Sequence, residues 1–137
     1  MKKFIPNYWI NLISPADMAE DDFEKFHTEL GFAMKLLKHR SEDAAELIVQ
    51  EGHRIVSAET AYFLNAAMKL NLEFGSEPGG ADMCKSMEKK EKKDRVTGAI
   101  QAYRFDGASD ETIITKVMSL FNVTKEYVLD LLAANPA

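Results

Sequence analysis

The chain has 137 residues, 46% apolar and 28% charged, a composition that excludes a wholly disordered polymer and suits one ordinary domain with a buried core. Its net charge of −5 supplies no general attraction to nucleic acid or to an anionic membrane. The acidic excess is local, since residues 1–80 hold 8 basic and 13 acidic side chains whereas residues 81–137 hold 9 of each.

The first predicted element is NYWINLI, residues 7 to 13, whose bulky and β-branched side chains favour a pleated strand. Its backbone needs a partner, and no other segment reads as strongly as strand. Ser14 and Pro15 with Asp17 then signal a helix start, and Phe23, Phe26, Leu30, Ala33, Met34 and Leu37 recur at helical spacing. One long amphipathic helix ending near His39 is expected, with Gly31 inside it at a cost of up to about 1 kcal/mol. Ser41 caps a second helix stopped by Gly52, and Ser57 caps a third running to Leu72 with Ala61, Leu64 and Leu72 facing inward.

Residues 73–82, with three glycines and a proline, read as the linker. They divide the chain into an N-terminal strand plus three-helix region (1–72) and a C-terminal region (83–137). The latter begins with a highly charged helix that Gly107 stops. It ends in a helical hairpin capped by Ser109 and Thr124 with Asn122 at the turn. The predicted fold class is mainly α, a bundle of about six helices preceded by one short N-terminal β-strand.

Cys84 is the one cysteine, which excludes an internal disulfide or a CxxC pair and points to a cytoplasmic setting. MKKFIPNYWINLIS is interrupted by Pro6, Asn7 and Asn11 and lacks a small-residue cleavage site, so no signal peptide is read, and no apolar run reaches membrane-spanning length. Two E-x-K triplets, Glu88 to Lys90 and Glu91 to Lys93, resemble the carboxylate and lysine of metal-dependent nucleases. They fall in a helical run, where that spacing splays the side chains apart. His27, His39 and His53 lack ligating neighbours at helical spacing, and no histidine near Cys84 in sequence can act as its base. No catalytic residue, metal site or cofactor site is therefore assigned.

The segment 83–95 carries six Lys/Arg against three acids, and Lys85, Lys89, Lys92 and Lys93 share a helical face that can meet phosphates without reading bases. The terminal hairpin matches the apolar pattern of a helix-turn-helix at Val117, Phe121, Val123, Val128 and Leu131. Its second helix, however, offers Lys125, Glu126, Tyr127 and Asp130 to a groove, and residues 109–137 hold two lysines against four acids. Plain helix packing is the better reading of the hairpin.

NYWINLISPADMAEDDFEKFHTELGFAMKLLKH, SAETAYFLNAAM and ADMCKSMEKK together resemble, in order and spacing, the C-terminal portion of the recombination-promoting nucleases, the PD-(D/E)XK nuclease family of transposase-like proteins. The resemblance implies a DNA-cutting, Mg²⁺-dependent core upstream of these segments, whose catalytic aspartate and E-x-K strand match no position here. It further implies that NYWINLI would pair with strands of that core. The chain is thus expected to be non-catalytic, an accessory and self-association region with a nuclease core or a second copy as partner, and with weak nucleic-acid contact at most. Tyr8, Trp9, Ile10 and Leu12 are the expected dimer contacts. A helical DNA-binding module built from 83–95 and the terminal hairpin is the alternative.

Overall fold

The computed structural model describes residues 12–40, 44–75 and 78–136. Most of NYWINLI, with Tyr8, Trp9 and Ile10, lies outside the described residues, as does the Ser41 cap. Leu12 and Ile13 are in neither helix nor strand. Beyond them the expected mainly α bundle is present, with seven α-helices among the described residues.

The expected single helix from Ser14 to His39 is divided into a 3₁₀ turn at Pro15–Asp17, α1 (Glu20–Phe23) and α2 (Glu29–Lys38). Thr28 restarts the helix, its hydroxyl accepting the Leu30 N–H at 3.3 Å. The break also accounts for Gly31. A Cβ there would stand 2.7 Å from the Phe23 carbonyl oxygen and 3.0 Å from the Phe26 Cβ, so glycine lets the turn after α1 fold back on α2. Restarting at Glu29 rotates the buried face. Phe32, Ala33 and Leu36 are enclosed, whereas Leu30 is exposed.

Helix α3 (Ala44–Glu51) ends at Gly52, whose φ of +73° is the left-handed stop expected of it. Strand β1 (Ile55–Val56) leads to α4 (Ala58–Met68), capped by Ser57. This helix stops short of Leu72 because Lys69 and Asn71 turn left-handed and the Asn65 side chain brackets Leu72. Asn65 Nδ2 donates to the Leu72 carbonyl at 3.0 Å, and its Oδ1 accepts the Leu72 N–H at 2.9 Å. Leu72 is thereby buried beside the helix it would otherwise have extended.

Strand β2 (Ala81–Asp82) pairs antiparallel with β1, Ile55 opposite Asp82 and Val56 opposite Ala81. The sequence reading contains neither strand. Asp82 then caps the 23-residue α5 (Met83–Phe105), and α6 (Asp110–Phe121) and α7 (Lys125–Ala134) follow with the expected caps Ser109 and Thr124 and a left-handed Asn122.

Two apolar clusters result. The first joins Phe32, Leu36, Ile48, Val56 and Leu64 to Met83, Cys84 and Met87; the second joins Val96 and Ile100 to Ile113, Val117, Val128 and Leu131. Burial at these sites contributes about 1.5–3 kcal/mol for each large side chain. Helix α5 enters both clusters, with Met87 in the first and Val96 in the second. The 73–82 segment packs against the first cluster through Phe74 and Ala81. Among the described residues no helix is long and apolar enough to cross a membrane.

Candidate functional site

The first turns of α5 hold the chemistry-bearing side chains, and the β1–β2 pair determines what faces them. The pair sets Ile55, two residues after His53, opposite Asp82, two residues before Cys84. His53, alone in its stretch of sequence, is thus delivered to the start of α5 from the turn after α3. Its Nδ1 lies 2.9 Å from Asp82 Oδ2. The other Asp82 oxygen accepts the Lys85 N–H at 2.9 Å, so one carboxylate both caps the helix and orients the imidazole.

Glu88 stands one turn after Cys84 on the same face of α5, its Oε1 4.0 Å from the Cys84 Sγ. One ligating atom from each of His53, Cys84 and Glu88 lies within 4.8 Å of the others. The thiol is buried, whereas His53 and Glu88 are exposed, so the group combines one buried soft donor with two exposed ones. Burial, reinforced by the carboxylates of Glu88 and Asp82, raises the Cys84 pKa. Burial alone would raise Asp82 too. The Lys85 N–H, the hydrogen bond and charge of His53, and the Cys84 N–H outweigh it and hold Asp82 below its usual value.

The basic face is less basic in three dimensions than in sequence. Lys93 is tied to Glu73 at 3.0 Å, and Lys90 to Asp94 at 2.7 Å. Lys85 and Lys89 border a hollow shared with Glu73 and Asp82. Lys89 and Lys93 rim a groove of about 580 Å³ whose other walls include Glu73, Asp94 and Asp130. Lys92 lies apart, beside Glu88, Glu91, Arg95 and Phe121. The structure therefore brings Lys85, Lys89 and Lys93 onto one side and interleaves carboxylates from outside α5 among them.

The expected dimer contacts Tyr8, Trp9 and Ile10 lie outside the described residues, whereas Leu12 is 91% exposed and Ile13 59%. At the other end, Val117, Val128 and Leu131 of the terminal hairpin close on Val96 and Ile100 of α5, as the packing reading requires. Lys116 sits over the Tyr103 ring at 5.0 Å, and the Arg104 guanidinium donates to the Asn135 carbonyl oxygen. These contacts fix the hairpin against α5 from both sides.

No family model matches the chain, and neither a curated protein nor a solved structure matches it.

Glu88 and Glu91 of the E-x-K triplets both border the hollow beside Lys92 but turn to different partners. Glu88 turns towards Cys84, while Glu91 lies 4.0 Å from Arg95 one turn on. The His53, Asp82, Cys84 and Glu88 group is what sequence reasoning missed. The available signal was the pairing of two short segments, Ile55–Val56 and Ala81–Asp82, each only two residues long and too brief for alternation to reveal.

Proposed function

We propose that this chain is the accessory and self-association region of a PD-(D/E)XK nuclease or transposase-like protein, without nuclease chemistry of its own, and that it works by packing against a nuclease core or a second copy of itself. The observation that carries this reading is the state of Leu12 and Ile13. Both are exposed, on coil, and belong to neither apolar cluster; Phe105, Leu120, Tyr62 and Phe63 are exposed on the helices as well, so it is the position of Leu12 and Ile13 at the end of NYWINLI that matters. An apolar segment leaving a packed body uncovered is suited to contact between chains.

The non-catalytic part of the proposal is supported by the placement of Glu88 and Glu91 on a helix, where they turn to separate partners. The alternative, a DNA-binding module, has less support. Its phosphate contacts would have to compete with Glu73 for Lys93, and its groove walls carry acids.

Light scattering on the chain and on Ile10→Pro tests the proposal, because proline cannot donate to the strand pairing proposed for NYWINLI. A dimer that the proline dissociates, with helicity unchanged, is the expected result. A monomeric parent chain, or a dimer indifferent to the proline, would overturn it.

A further inference from the structure

We propose that His53, Cys84 and Glu88 bind a single zinc ion, with Asp82 orienting the imidazole and the fourth position left to water. Three features of the site support this assignment: the donor set, the spacing, and the carboxylate behind the histidine.

A thiolate, an imidazole and a carboxylate are the three ligand types that zinc takes, at about 2.3 Å for sulfur and about 2.0–2.2 Å for nitrogen or oxygen. A tetrahedral ion with those bond lengths holds its donors roughly 3.3–3.8 Å apart. The Cys84 to Glu88 separation is already 4.0 Å, and all three donors lie within 4.8 Å. The remaining closure of about 1 Å falls on His53 and Glu88, which are exposed and free of core packing, while the buried Cys84 keeps its place. Hard cations such as Mg²⁺ favour oxygen ligands and gain little from a thiolate, which makes the site selective for a soft or borderline ion.

The Asp82 contact gives the histidine its polarity. A carboxylate accepting the Nδ1 proton fixes the tautomer in which Nε2 carries the lone pair, the arrangement found behind many zinc-bound histidines. Asp82 is placed to do so because the β1–β2 register puts it opposite Ile55, two residues after His53. The same strand pair that closes the first apolar cluster therefore preassembles ligands separated by some thirty positions of sequence, as a metal site requires. The assignment does not depend on the nuclease-family reading, since it uses only residues of the folded body.

Cobalt(II) in place of zinc is the probe, because a thiolate ligand gives cobalt a strong near-ultraviolet charge-transfer band and tetrahedral geometry an intense visible one. Metal-free chain titrated with Co²⁺ should show both bands saturating at one equivalent and should lose them when Zn²⁺ is added. Cys84→Ser should abolish the thiolate band. His53→Ala, on an exposed side chain whose loss leaves the cores intact, should weaken binding at least tenfold. Asp82→Asn should weaken it about 10–100-fold through the imidazole, with far-UV circular dichroism confirming that α5 remains capped. A cobalt complex without a thiolate band, or binding unchanged by His53→Ala, would overturn the proposal.

Discussion

Glu29 is the residue whose removal should report most directly on how the first helices are held together. It occupies the first turn of α2 and reaches across to the start of α4, where Oε1 accepts the Ser57 N–H at 2.7 Å and Oε2 the Ser57 hydroxyl at 2.8 Å. Ser57 in turn caps α4 by accepting the Thr60 N–H. Glu29→Gln keeps the shape but leaves one carbonyl oxygen for the donors that the carboxylate meets with two. One charge-assisted hydrogen bond is lost and the other becomes neutral, a change of about 2–3 kcal/mol at full burial. Partial exposure lets water replace some of this, so about 1–2 kcal/mol is expected, or roughly 4–8 °C in Tm for a chain of this size.

The pH dependence has a defined sign. The hydroxyls of Thr60 and Ser57 hold the Glu29 carboxyl below its usual value of 4.5. Its stabilisation is therefore complete above that value and is lost as pH falls through the lower, folded-state one. Thermal melts of the parent and the variant should differ at neutral pH and converge in acid. Ser57→Ala in a double-mutant cycle separates this contact from the attraction of Glu29 to its own helix dipole, and a coupling on the order of 1 kcal/mol is expected. Equal melting temperatures at neutral pH, or a gap that persists unchanged in acid, would refute the reasoning.

Two further outcomes follow from the same geometry. Incubated with plasmid and Mg²⁺ or Mn²⁺, the chain should leave the DNA intact, and cleavage abolished by Glu88→Ala or Glu91→Ala would contradict the separation of those carboxylates. Gly80→Ala should lower the denaturant midpoint by the equivalent of about 2–4 kcal/mol, because Gly80 has φ +129° and a Cβ would overlap the Val56 carbonyl oxygen; Gly79→Ala, at φ +100° with open space around it, should cost only about 1 kcal/mol, and equal effects would mean that the close approach to β1 is unimportant.

What the sequence made legible was whatever depends on near neighbours. The Ser57, Ser109 and Thr124 caps, the Gly52 and Gly107 stops and the left-handed Asn122 each act within one turn, and each is where the local pattern put it. Misreadings arose where a distant segment decides the local conformation. A continuous helix from Ser14 to His39 satisfies periodicity, yet the turn after α1 folds back onto Gly31 and breaks it. Helical spacing carries α4 on to Leu72, yet Lys69 and Asn71 turn left-handed and Asn65 claims both polar groups of Leu72.

The candidate site belongs to this second class, for a reason that concerns helix α5 as a whole. Its charged centre, from Glu88 to Arg95, reads as a solvated rod, and in the middle turns the ion pairs with Asp94 and Arg95 bear that out. At its start, however, Met83, Cys84 and Met87 point into the first core, so Glu88 lies at the seam between buried and exposed faces. A carboxylate at such a seam is an ordinary surface residue until another segment supplies a donor beside it. The two-residue β1–β2 pair does that by a register with nothing in its own side chains to announce it, and Gly80, the one residue small enough to pass under Val56, sets it. The chemistry of the chain thus rests on a backbone contact that hydrophobic periodicity cannot encode, whereas the helices around it are specified almost turn by turn.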